Sequence, residues 1–144
     1  MQQIPILAPP AVLVLWSLVM LTWMTATRFP AFARLGLKVS EAEPGSRYVD
    51  VEGMIPAKVN WKSHNYTHLM EQPTIFYAAV VILALAGEGS GINLVFAWAY
   101  VAIRVVHSIW QATVNIISVR IVLFTVSTLC LWVLAINAVR ATLF

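Results

Sequence analysis

Four long apolar runs most strongly constrain what this chain can fold into. The hydrocarbon core of a bilayer is about 30 Å thick and needs roughly 20 apolar residues for each helical span. Runs of that length cover approximately residues 6–25, 60–86, 92–113 and 115–143. With 60% of its residues apolar and only 10% charged, the chain lacks the polar surface of a soluble domain. We therefore predict an all-α integral membrane protein, a four-helix bundle forming one domain over residues 1–144.

The basic residues predict how the spans are oriented. Six of the nine Lys and Arg residues lie between Arg28 and Lys62, and cytoplasmic loops carry such an excess of positive charge. The net charge of +3 therefore indicates a membrane-surface loop and no nucleic-acid partner. We predict a cytoplasmic loop over about residues 28–59 with both termini outside, an arrangement compatible with a bacterial inner membrane. A loop of this length is either a lid over a site or a solvated connector.

The segment Trp61–Tyr77 carries polar groups directly into the second span. His64, His68 and Glu71 are three and four residues apart, so they share one stripe of a helix. Pro73 follows, and a proline removes a helical hydrogen bond and kinks the helix. A carboxylate at this depth is costly unless another group pairs with it. We therefore expect Glu71 to have a partner elsewhere in the bundle.

A second polar stripe lies on the third span. Arg104, His107, Ser108 and Gln111 have the spacing of one helical face, and an arginine near mid-span must face the protein interior or a wet cavity. We predict a structural ion pair between Glu71 and Arg104, which either fixes helix packing alone or also serves a functional site. The polar groups thin out beyond Arg104, which disfavours a transporter with a polar path across the bilayer.

Arg120, at the start of the fourth span, has no acidic partner left in the membrane once Glu71 is paired. Such an arginine indicates an anionic ligand in a cleft, or it extends to lipid phosphates. A zinc site is not predicted, because the HExxH pattern is absent and no cysteine accompanies the three histidines.

The order and spacing of these motifs resemble the MAPEG superfamily, the membrane-associated proteins in eicosanoid and glutathione metabolism. Residues 68–77, H-L-M-E-Q-P-T-I-F-Y, resemble its N-x-x-E…P-x-x-F signature on span two. Residues 104–108, R-V-V-H-S, followed by Arg120, resemble its R-x-x-H-[ST]…R signature on spans three and four. The resemblance implies a homotrimer in which glutathione lies between subunits near the cytoplasmic side, while lipophilic small molecules arrive from the surrounding membrane lipids.

The resemblance also implies an activity and the residues that carry it. It predicts a glutathione-dependent transferase or peroxidase acting on lipophilic electrophiles or hydroperoxides, with Arg120 as the catalytic cation beside the thiolate. Glutathione, the expected co-substrate, is predicted to contact the polar residues of spans two to four: His64, His68, Glu71, His107, Gln111 and Arg120.

Several positions depart from the family pattern. His68 stands where the family usually has Asn, and Thr67 replaces a basic residue of the glutathione-using members. Phe124 stands where several active members have a tyrosine, Ile121 where some have a serine, and Gln111 where a tyrosine is frequent. Glutathione contacts and a hydroxyl donor are therefore missing. The alternative prediction is a non-catalytic membrane binding or scaffold protein of the same fold.

Overall fold

In the computed structural model, residues 4–144 are described. Helix α1 is Ala8–Arg34, preceded by a 3₁₀ turn, and the short helix α2 is Tyr48–Val51; the remaining helices are α3 (Ala57–Leu69), α4 (Gln72–Leu85), α5 (Gly91–Thr113) and α6 (Ile117–Leu143). Within these residues no β-strand forms, and four stretches are long and apolar enough to cross a membrane: Pro5–Arg34, Ala57–Leu85, Gly91–Thr113 and Ile117–Leu143. The predicted all-α four-helix architecture is confirmed.

The first span is longer, and the loop after it shorter, than the hydropathy of the sequence indicated. α1 continues beyond residue 25 to Arg34, and α3 begins at Ala57, so the predicted loop over 28–59 is corrected to 35–56. The reason is a tertiary contact near the end of α1. Arg28 donates a hydrogen bond to the hydroxyl of Ser63 on α3 and lies 3.7 Å above the ring of Tyr48.

The loop over residues 35–56 is fastened to the start of α3. The Tyr48 hydroxyl donates to the side-chain oxygen of the buried Asn60. The amide nitrogen of Asn60 donates to the carbonyls of Glu52, at 3.0 Å, and Ile55, at 3.3 Å. Because each polar atom of this buried amide has a partner in the loop, Asn60 fixes the loop against the bundle.

The second span is broken in the middle, as its proline predicted. α3 ends at Leu69 and α4 begins at Gln72, with Pro73 in the first turn of α4. Pro73 has no N–H to donate to the carbonyl of Leu69 four residues earlier. Glu71 lies in the break with φ −87° and ψ −92°, outside the helical region.

α5 is the central helix of the bundle and packs against α1, α3 and α6. Its buried Tyr100 stacks on Phe76 of α4, with ring centroids 4.3 Å apart. α5 and α6 form the predicted antiparallel hairpin, and their link turns at Asn115, which has a positive φ of 60°. Asparagine tolerates this left-handed conformation better than most residues.

The outer surface of α6 is apolar. Val122, Leu129, Trp132 and Ile136 are more than half exposed in the single chain. In a bilayer such a surface contacts lipid tails or a neighbouring subunit at no cost in polar desolvation.

A single hydroxyl joins α1, α3 and α5. Ser108 is fully buried and accepts hydrogen bonds from Trp16 Nε1, at 3.0 Å, and from Asn65 Nδ2, at 2.7 Å. Removing the hydroxyl leaves the buried Asn65 donor and the part-buried Trp16 donor without an acceptor, and each orphaned donor costs free energy.

We therefore expect Ser108→Ala to lower the free energy of unfolding by about 1–2 kcal/mol. Thermal unfolding of the purified protein in detergent measures this loss. Thr22→Ala is the matched control, because the exposed Thr22 hydroxyl bonds only to a carbonyl of its own helix, that of Leu18. Equal stability of the two variants would contradict the role of Ser108 as a three-helix junction.

Candidate functional site

Arg104 occupies the centre of the bundle and is fully buried. Its Nη2 donates to the backbone carbonyl of His68 at 3.0 Å, and its Nη1 lies 3.3 Å from His68 Nε2. In an unbroken helix the His68 carbonyl would accept from the N–H of residue 72. The break at Glu71 leaves this carbonyl without that partner, and Arg104 takes its place.

The predicted direct ion pair between Glu71 and Arg104 is not formed, because His68 lies between them. The carboxylate of Glu71 contacts His68 Nδ1 at 2.9 Å, and the other ring nitrogen faces Arg104. The Glu71 side chain is 62% exposed, since the break carries it to the outside of the span. Glu71, His68 and Arg104 therefore form a chain of contacts from the surface to the centre of the bundle.

The contacts of His68 determine its tautomer. A guanidinium can only donate hydrogen bonds, so Nε2 of His68 must present its lone pair to Arg104. The ring proton is then on Nδ1, from which it is donated to the Glu71 carboxylate. The neutral imidazole thus bridges the Glu71 carboxylate and the Arg104 guanidinium by accepting a hydrogen bond from one and donating a hydrogen bond to the other.

Two further rings, one from α5 and one from α6, pack against His68 and Arg104. The His68 ring centroid lies 5.2 Å from that of His107 and 5.2 Å from that of Phe124. The guanidinium carbon of Arg104 lies 5.8 Å from the centre of the Phe124 ring, within the range of a cation–π interaction. We refer to His68, Glu71, Arg104, His107 and Phe124 as the His68 cluster.

Two further predicted residues lie one helical turn beyond the cluster, towards the α5–α6 link. Gln111 follows His107 by four residues on α5, and Arg120 precedes Phe124 by four on α6. Gln111 is buried and its Oε1 has no hydrogen-bond partner. The half-buried Arg120 donates from Nη1 to Asn115 Oδ1 at 2.9 Å, and its Nε has no partner. Across residues 4–144, no carboxylate forms an ion pair with Arg120.

Other predicted residues lie apart from the cluster. His64 is exposed and contacts Glu52 of the loop. Thr67 is exposed and bonds to the carbonyl of Ser63 on its own helix, while Ile121 is 60% exposed on the outer face of α6. In the part of the chain that the structure describes, no three His, Cys, Asp or Glu side chains gather closely enough to hold a metal ion.

Sequence reasoning did not select the amide of Gln72. Gln72 donates to Thr128 of α6 at 2.8 Å and accepts from the Tyr100 hydroxyl at 3.3 Å. A signal was present, since an amide just before Pro73 in an apolar run must find partners inside the bundle. No comparable signal separates Trp16, which bonds to Ser108, from the other tryptophans of the chain.

The fold and the cluster define a class of protein: a helical membrane bundle with a charged and aromatic cluster between its last three spans. The sequence model of the MAPEG family matches residues 6–140, and the chain belongs to that family. It is therefore an integral, multi-pass membrane protein of a family that includes glutathione transferases and peroxidases as well as non-catalytic members. Searches of curated proteins and of solved structures found no match to the chain.

The tautomer of His68 is directly testable by ¹⁵N NMR on protein with labelled histidine. We expect one imidazole with its proton on Nδ1 at neutral pH, and we expect this signal to disappear in His68→Asn, which assigns it. Arg104→Leu combined with Glu71→Ala should shift it to a mixture of tautomers, because neither ring nitrogen then has a partner that fixes the proton. Arg140→Gln, at the far end of α6, is the control and should leave it unchanged. A His68 proton found on Nε2 in the unmodified protein would contradict the contact with Arg104.

Proposed function

We propose that this MAPEG protein binds glutathione beside the His68 cluster and uses it on lipophilic electrophiles or hydroperoxides. The observation that carries the proposal is Arg120. This half-buried cation lies one turn of α6 from the cluster and has the neutral amide of Asn115 as its hydrogen-bond partner. A half-buried arginine that forms no ion pair with a carboxylate of the protein favours an anionic ligand. Members of the family commonly use glutathione.

The unused polar atoms complement the groups of glutathione. The tripeptide carries two carboxylates and one ammonium group. Arg120 offers donors to a carboxylate, whereas the exposed carboxylate of Glu71 and the Oε1 of Gln111 offer acceptors to an ammonium or amide N–H. His68 and His107 are the further proposed contacts within the cluster. His64 is left out of this contact set, because it faces the loop.

Arg120 is the proposed catalytic residue because a cation favours the ionised form of a nearby thiol. At about 4 Å, a unit charge stabilises a thiolate by about 4 kcal/mol at an effective dielectric of about 20. That energy corresponds to about three pK units, enough to keep a thiol ionised at neutral pH. The thiolate then forms a carbon–sulfur bond with the electrophile, and a leaving group departs with the displaced electron pair.

The peroxidase reaction uses the same thiolate. Its sulfur attacks the distal oxygen of a hydroperoxide and becomes a sulfenic acid, while the O–O bond breaks and the departing alkoxide takes a proton from water to give an alcohol. A second glutathione then reduces the sulfenic acid, which gives glutathione disulfide and water. Both reactions suit a substrate that arrives through lipid, since Ile117 and Ile121 present exposed apolar side chains near Arg120 on α6.

The proposal includes a homotrimer in the inner membrane of a bacterium, with the loop on the cytoplasmic side. The exposed side chain of Glu71 and the apolar outer face of α6 support an assembly in which a second subunit covers one side of the site.

A second candidate function is binding without thiol chemistry. It is favoured by Phe124, whose ring packs against His68 in the place where several active relatives are expected to present a hydroxyl. Because the Phe124 ring carries no hydroxyl, the cluster can hold a thiol ligand but donates no hydroxyl hydrogen bond to the sulfur of that ligand.

The role of Arg120 is tested by glutathione binding to the purified protein, measured by calorimetry with thiolate absorbance followed on the same sample. Arg120→Ala should abolish saturable binding and the thiolate signal, because the carboxylate loses its cation. Arg140→Ala, on the same helix, is the matched control and should bind as the unmodified protein does. Unchanged affinity in Arg120→Ala would exclude Arg120 from the site.

Phe124→Tyr separates the two candidate functions. In an active enzyme, the added hydroxyl should raise turnover of a model electrophile by about tenfold or more, because a placed donor stabilises developing charge on sulfur. Phe144→Tyr, at the exposed C-terminus, is the control and should leave turnover unchanged. Glutathione binding with no turnover in any of the three proteins would favour the binding function over the enzyme.

A further inference from the structure

A cavity of about 500 Å³ lies between the last turns of α1 and the loop over residues 35–56. Its volume falls in the range of small-molecule sites, about 300–1,000 Å³. Most of its wall is apolar, and none of its lining residues belongs to the His68 cluster; the apolar lining includes Phe29, Phe32, Leu37, Val39 and Val51. We refer to this space as the loop cavity.

Arg28 is the most enclosed cation of the loop cavity. Its guanidinium lies 3.7 Å above the Tyr48 ring and donates to the Ser63 hydroxyl, and its Nη2 lies 3.3 Å from the sulfur of Met24. The Nε of Arg28 is buried and has no partner. Among the described residues, no carboxylate forms an ion pair with Arg28. The guanidinium is therefore held in place by neutral groups and keeps its capacity for an anion.

Three of the other charged side chains of the lining have partners within the loop. Lys38 pairs with Glu41 at 2.7 Å, and the carboxylate of Asp50 accepts from the backbone N–H of Arg47 at 2.7 Å. Three basic and two acidic side chains line the cavity, which leaves an excess of one positive charge. This excess balances a single negative charge and not the two of a phosphate monoester.

The rim of the loop cavity is also apolar. Phe29 and Val39, which line it, are 55% and 65% exposed. They lie where the first span leaves the bilayer, and apolar side chains at such a boundary insert among lipid headgroups and the first part of the acyl chains. A ligand with a hydrocarbon chain therefore has a path into the cavity from the adjacent leaflet.

We propose that the loop cavity binds a carboxylate with a hydrocarbon chain, of the fatty-acid type. The carboxylate receives hydrogen bonds from Arg28, whose planar guanidinium matches two carboxylate oxygens. The hydrocarbon chain lies against Phe29, Phe32 and Val51. This site does not depend on glutathione binding, because it shares no residue with the His68 cluster or Arg120.

The test uses the full-length protein in phosphatidylcholine nanodiscs, titrated with decanoate labelled with ¹³C at its carboxyl carbon and observed by NMR. Empty nanodiscs give the background of partition into lipid. We expect a saturable protein-bound signal that Arg28→Gln weakens at least about tenfold, since a charge-assisted hydrogen bond is lost. Unlabelled decanol, which has the same chain without the charge, should displace decanoate at least about tenfold less well than unlabelled decanoate does.

A second pair of variants avoids the contact between Arg28 and Ser63, which also joins α1 to α3. Val51→Trp fills the loop cavity and should reduce decanoate affinity at least about tenfold with Arg28 intact. Val49→Trp is the matched control, because Val49 lies in the same short helix, is 59% exposed and does not line the cavity; its affinity should equal that of the unmodified protein.

Three results would overturn the proposal. The first is the absence of a saturable signal above the empty nanodiscs. The second is equal affinity in the two tryptophan variants. The third is displacement of decanoate by short-chain phosphatidic acid at lower concentration than by unlabelled decanoate, which would assign the cavity to a lipid phosphate. Glutathione binding of Val51→Trp should be unchanged, so failure at one site is distinguishable from failure at the other.

Discussion

The rest of the bundle depends on the contact between the buried guanidinium of Arg104 and His68. A charge near the middle of a span is tolerated only when other groups of the protein satisfy it. Here the partners are a carbonyl and a ring nitrogen of the same residue, His68, and the carbonyl is available because the break at Glu71 removes its helical partner, the N–H of Gln72. The break and the arginine thus compensate for one another. Together with the Phe124 ring above the guanidinium, they hold α3, α5 and α6 in one arrangement.

The fold was predictable because the apolar runs, the basic loop and the in-membrane proline each correspond to one physical requirement of a bilayer. The burial of Arg104, His107 and Gln111 was predictable for the same reason. The partner of Arg104 was not predictable from the sequence. Hydropathy and spacing place Glu71 at a suitable depth, but the backbone at the break turns its side chain outward. Only the backbone geometry reveals that a histidine lies between the two charges.

The limits of the first span were mispredicted for a related reason. Polar residues after Thr25 suggested the end of the helix, yet Arg28 is stabilised by Ser63 and Tyr48, which are distant in sequence. Contacts of this kind also form the loop cavity, whose wall combines the end of α1 with a folded loop. Arg28 and Arg120 share a property that charge counting cannot show: both are half-buried, and both have a buried Nε without a partner. Family membership indicates the range of chemistry, whereas these two side chains are the places where we propose that anions bind.

The order of the residues along the chain has a consequence for how the protein enters the membrane. His68 precedes Arg104 by 36 residues, and Asn65 and Trp16 precede Ser108 by 43 and 92. Synthesis proceeds from the N-terminus, so the acceptors and donors that satisfy α5 are made before α5 itself. Insertion of a lone arginine at mid-span costs about 2.5–3.5 kcal/mol on translocon scales. The residues of the second span that accept hydrogen bonds from Arg104 are thus synthesised before Arg104, so its partners exist by the time that α5 enters the bilayer.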